Sequence, residues 1–139
     1  MNHLATLLPV FVLVALTLGL LVWQARARVA ALRAGQVKMS QIALGQNAWP
    51  ERAAQINRAY QNQLELPVLF YVLVALTLVT RRETTLFVAM EWLFVVARLV
   101  HAFVHVTSNN VVRRFQIYTA GFGVLAAMWA IFAIGVAFF

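Results

Sequence analysis

The stretch Arg58-Ala59-Tyr60-Gln61-Asn62-Gln63-Leu64-Glu65-Leu66-Pro67-Val68-Leu69-Phe70 passes from a charged, amide-rich half to an apolar one. Arg58, Asn62 and Glu65 are spaced four and three apart, which places them within roughly 60° of one helix face. Upstream, Pro50 and Glu51 suit a first helical turn, with Asn47 or a neighbour as its cap. The pattern predicts one long helix from Pro50 to about residue 80, polar over Glu51 to Glu65 and apolar over Leu66 to Val79. Pro67 should bend it, because proline removes a backbone hydrogen bond. Such a helix stands partly outside a bilayer or faces a wet cavity lined by protein.

The rest of the chain places that helix in a membrane. Of 139 residues, 63% are hydrophobic and 11% charged, with a mean hydropathy of +0.82. Soluble domains run near half apolar and a quarter charged, so a water-soluble globule is excluded. Leu4 to Trp23 is free of charge and, at about 1.5 Å per residue, matches a hydrocarbon core of about 30 Å. It exceeds the apolar run of a signal peptide, lacks a leading Lys or Arg, and is followed by Arg26, Arg28 and Arg33, so an anchor with its N-terminus outside is the better reading. The expected layout is a single membrane domain over 1–139, an all-α bundle of four transmembrane helices. The spans are about 4–24, 50–80, 84–106 and 114–139, and residues 25–49 form a polar loop or interfacial helical segment.

Eleven Lys and Arg face four Glu and no Asp, a net charge of +7. Beside long apolar runs these cations read as topology and headgroup residues or as binders of an anionic substrate, and no nucleic-acid partner is expected. The first and third connections hold Arg26, Arg28, Arg33, Lys38, Arg52, Arg58, Arg113 and Arg114, against Arg81 and Arg82 on the opposite side. By the positive-inside rule both termini face out and those connections face the cytoplasm, at the inner membrane if the source is bacterial. The absence of cysteine removes disulfides and thiol nucleophiles.

Charged groups inside a span are costly and call for a partner or a function. Arg98, His101 and His105 follow at three and four on the third helix, with Asn109 four beyond. Counted back from the outer turn, Glu65 and Arg98 both lie about 21–22 Å down, Asn62 and His101 about 26–27 Å, and Arg58 and His105 about 32–33 Å. The stripes thus match rung for rung, and Glu65 with Arg98 is the expected ion pair. The ladder either glues helices together or lines a positively biased cavity. His101 and His105 could share a metal at this spacing, but neighbouring arginines oppose a divalent ion, and no metal is expected. Glu91 has no obvious partner beyond Arg81 or a neighbouring subunit, and His3 reads as a plain terminal residue.

The stretch 58–70 resembles the signature R-A-x-x-N-x-x-E-x-x-P of the MAPEG family, the membrane-associated proteins in eicosanoid and glutathione metabolism. Arg58, Ala59, Asn62 and Glu65 stand at the signature's spacing and Pro67 falls one residue short of its proline position, and length and span number agree. The resemblance implies a homotrimer with glutathione, as co-substrate, bound between subunits near the cytoplasmic side. By position it implies glutathione contacts for Arg58, Asn62, Glu65, Arg98 and His101. It also implies one at His105, where prostaglandin-E-synthase-like members have a tyrosine. Arg114, or its neighbour Arg113, falls where an arginine is credited with stabilising the thiolate.

That role is chemically sound, since an arginine in a partly desolvated site favours the ionised thiol. The implied activity is glutathione-dependent transfer to a hydrophobic electrophile taken from the membrane lipids, a detoxification, with peroxide reduction as a further activity. Leu66 and His105 replace tyrosines of relatives, and Phe115 replaces a serine, so an eicosanoid-specific role does not follow. A non-enzymatic member binding a lipid or a partner protein is the alternative.

Overall fold

The computed structural model describes residues 3–45 and 47–138. Among these every regular element is helical: α1 His3–Arg33, α2 Met39–Ile42, α3 Glu51–Gln61, a 3₁₀ turn at Asn62–Leu64, α4 Leu66–Val79, α5 Thr85–Val106 and α6 Val111–Phe138. Four helical segments are long and apolar enough to cross a membrane: His3–Arg33, Glu51–Val79, Thr85–Val106 and Val111–Phe138. The expected fourth span ends on Phe139, which lies outside the described residues.

Helix boundaries follow local chemistry. α1 continues past its apolar run to Arg33, well into the stretch expected as a loop or interfacial helical segment, because Ala and Arg are good helix formers. It stops where Gly35 adopts φ +69° and the Gln36 N–H returns to the Ala31 carbonyl at 3.0 Å, a Schellman termination. α4 ends in the same way, with Arg82 N–H to Thr77 O at 3.0 Å, but its left-handed residue is Arg81 at φ +54°. Thr84 caps α5, its hydroxyl accepting from the Phe87 N–H at 3.1 Å. Asn110 does the same for α6, its side-chain oxygen accepting from the Arg113 N–H at 3.0 Å. α3 is preceded by Pro50 with no side-chain cap, so Asn47 does not fill that role.

The second span is broken rather than bent. Glu65 leaves the helical region at φ −99°, ψ −105°, and a new helix starts at Leu66 with Pro67 in its first turn, where its missing N–H costs little. Leu13, Phe70, Leu73, Phe94, Val95, Leu125 and Met128 form the main core in the half of the bundle beyond this break. On the other side, Leu20, Ala59 and Ala102 make a smaller cluster, where two alanines let α1, α3 and α5 approach closely. α5 is central, packed on α6, α1 and α3. His3, expected as a plain terminal residue, ties the start of α1 to the α4–α5 turn, its Nδ1 2.6 Å from Glu83 Oε1.

Candidate functional site

α5 turns one face inward, carrying Phe87, Glu91, Phe94, Val95, Arg98, His101, Ala102 and His105. Its three basic side chains are all buried in the protomer. The expected Glu65–Arg98 ion pair does not form. Arg98 Nη2 donates to the main-chain carbonyl of Asn62 at 2.8 Å, and its guanidinium carbon lies 5.8 Å from the centre of the Tyr118 ring. Glu65 is exposed, and its Oε2 accepts from the Tyr118 hydroxyl at 3.4 Å. The cause is the helix break. A helix end leaves carbonyls without their usual partners, and Arg98 takes the one at Asn62.

Farther along α5, Gln55 Nε2 donates to the His105 carbonyl at 2.7 Å. Arg98 therefore meets Asn62 instead of Glu65, and His105 meets Gln55 instead of Arg58, each displaced by three residues, or about 4.5 Å of helix. The broken second span advances less along α5 than its contour length, so a straight-rod depth count overshoots.

Asn62, His101, Arg114, Phe115, Tyr118 and Val111 line a cavity of about 220 Å³. Arg114 Nη1 donates to Asn109 Oδ1 at 2.7 Å, while its Nε is buried without a partner in the protomer. Asn109 sits at φ +50°, a left-handed conformation that asparagine tolerates better than most residues. It also borders a second, polar cavity of about 280 Å³ with Arg58, Gln55, Glu51 and Trp49. The two cavities thus meet at the Arg114–Asn109 contact. His101 packs against Tyr118 and edge-on to His105, with ring centres 5.8 Å apart in each pair.

Of the expected site residues, Asn62, His101 and Arg114 share the first cavity. Arg98 stands behind it through Asn62 and Tyr118, and Glu65 reaches its rim through Tyr118. His105 is buried behind His101, and Arg58 belongs to the second cavity. Arg113 is exposed and lines neither, which separates the two candidate arginines. Tyr118 was not among the expected residues. Its signal was its position four residues after Arg114, on the same face of α6.

Arg98 Nε and Nη1 are buried without partners. They add positive charge behind the cavity wall, where Arg114, the Asn62 amide and the Tyr118 hydroxyl form a donor-rich concavity suited to an anion. Among the described residues no group of three His, Asp or Glu could hold a metal. A family model described as the MAPEG family matches residues 6–134. No curated protein and no solved structure shows a significant match to the chain.

Proposed function

The chain belongs to the MAPEG family, and from that premise we propose that it is a glutathione-dependent membrane transferase whose thiol site is the cavity between Asn62, His101, Arg114 and Tyr118. Membership makes it an integral multi-pass membrane protein of a family of eicosanoid and glutathione metabolism. The observation that carries the finer reading is Arg114, held by Asn109 at the cavity wall with a buried guanidinium N–H unused.

Glutathione would supply a thiol that, once ionised, attacks an electrophilic carbon. The rest belongs to this chain. Arg114 offers positive charge to the sulfur, the exposed Arg58 suits a carboxylate while the buried charge of Arg98 biases the site toward anions, and the exposed carboxylate of Glu65 suits the ammonium. Phe115 and Val111, both largely exposed beside the cavity, give a hydrophobic substrate an apolar approach from the bilayer. At about 220 Å³ the cavity falls short of the roughly 300–1,000 Å³ of complete ligand sites. That shortfall fits a site finished by a neighbouring copy, as in a homotrimer. Both termini face out in this reading, with the Arg114 end on the cytoplasmic side.

Glutathione should raise the melting temperature of the detergent-solubilised protein, corresponding to about 2.7 kcal/mol at a hundredfold excess over its dissociation constant. Arg114→Ala should lower turnover of a hydrophobic electrophile by roughly 10²–10³, the usual effect of losing one charge-stabilising donor. Arg113→Ala should leave it within about twofold. No glutathione-dependent shift and no turnover above the uncatalysed rate would sink the proposal. A non-enzymatic lipid- or partner-binding role would then stand, favoured by the buried His105 and by Leu66, neither of which supplies a phenolic hydroxyl.

A further inference from the structure

Away from both polar cavities, a groove of about 430 Å³ runs between α1 and α5. Leu16, Gly19 and Trp23 form one wall, Ala102, Phe103 and Val106 the other, and no charged side chain lines it. The lined stretches, Leu16 to Trp23 and Leu99 to Val106, are each about 10 Å long, a third of a bilayer's hydrocarbon core of about 30 Å. Gly19 faces this open space: a Cβ there would meet nothing within 4 Å.

One end is different. The Arg52 guanidinium lies 5.2 Å from the centre of the Trp23 ring, and its Nη1 donates to the Val106 carbonyl at 2.5 Å and to Gln55 Oε1 at 3.1 Å. Trp23 and Val106 are themselves groove residues, so a cation is fixed at the mouth of an otherwise apolar slot. Arg52 is exposed and has no acidic partner among the described residues. The adjacent Glu51 belongs to the polar cavity with Arg58 instead. Nη2 and Nε have no acceptor among the described residues, and that pair of donors matches a phosphate. A tryptophan at the same level is where the headgroup boundary falls.

We propose that this groove binds an anionic phospholipid, with one acyl chain between α1 and α5 and the phosphate on Arg52. An apolar slot alone would take any acyl chain. The pinned guanidinium adds selectivity for net negative charge, because a zwitterionic headgroup brings its own cation to the same place. The site shares no residue with the thiol cavity and does not depend on the reading given above.

The test uses full-length, delipidated protein in detergent, titrated with phosphatidylglycerol or phosphatidylcholine of identical chains, with bound lipid counted by native mass spectrometry. Phosphatidylglycerol should bind about fivefold more tightly, the effect of one arginine near an anionic headgroup. Arg52→Gln should erase that preference. Gly19→Leu, which adds a bulky side chain to the groove from a position where a Cβ meets no protein atom within 4 Å, should weaken both lipids several-fold, whereas Gly19→Ala should not.

Equal binding of the two lipids by the unaltered chain would overturn the proposal, as would an undiminished preference in Arg52→Gln. Loss of oligomer mass in Gly19→Leu with lipid binding intact would assign the groove to a second copy and overturn it too. Should Gly19→Leu fail to fold, Arg52→Gln decides by itself, since an exposed side chain is removed.

Discussion

Glu91 and Arg98 lie two turns apart on the same inward face of α5, and the structure treats them in opposite ways. Arg98 is 1% exposed and Glu91 0% exposed. Arg98 has a main-chain acceptor at Asn62, an aromatic ring at Tyr118 and a donor-rich cavity beside it. Glu91 shares its buried face of α5 with Phe87, Phe94 and Val95, and neither of its oxygens has a partner among the described residues. The two partners the sequence suggested for it fall away. Arg81 forms no ion pair with it, and a neighbouring subunit cannot reach a side chain with no exposed surface. A buried charge is retained at low cost where the backbone supplies the other half of a hydrogen bond, and at high cost where it does not.

Substitutions should separate the two positions. Arg98→Met should be the most damaging, destabilising the detergent-solubilised protein by roughly 2–3 kcal/mol, because a charge-assisted bond to a part-buried carbonyl is lost. Chemical or thermal melting reads this directly, and a neutral result would show that Asn62 is satisfied without Arg98. Glu91→Leu should act in the other direction, raising stability by about 1 kcal/mol, since it removes two unpartnered polar atoms from an apolar layer. A loss as large as that of Arg98→Met would break the comparison and point to a bound partner for Glu91. Tyr118→Phe should change stability least, by under about 0.5 kcal/mol, because its hydroxyl bond to the exposed Glu65 is long at 3.4 Å. A larger shift would join Tyr118 to the buried network of Arg98.

The sequence was most legible where periodicity and composition act over many residues. Four apolar spans, a polar first half for the second, and a shared stripe of Arg98, His101 and His105 all follow from helical spacing alone. It was least legible wherever a single backbone event resets geometry. Pro67 signalled a disturbance, but whether the chain bends or breaks depends on neighbouring helices. Beyond the break at Glu65, the hydrogen bonds to Arg98 and His105 come from positions three residues away from those expected.

Tyr118 was hidden for another reason. The fourth span carries no charge beyond its first turn, so its one phenol beside the cavity gave no electrostatic signal. That Arg114 and not Arg113 faces the cavity likewise depends on the rotation of α6, which no local pattern gives. The tie between His3 and Glu83 joins residues far apart in the chain, beyond the reach of any local pattern.

The acceptor that anchors Arg98 belongs to the main chain of Asn62, not to its amide side chain. No amino-acid replacement at position 62 deletes that oxygen, while any replacement there alters the side chain presented to the cavity. The position is therefore free to vary in what it offers a ligand without unseating the guanidinium behind it. Ligand preference and the integrity of the bundle can change independently at a residue that a motif-level reading would treat as indivisible.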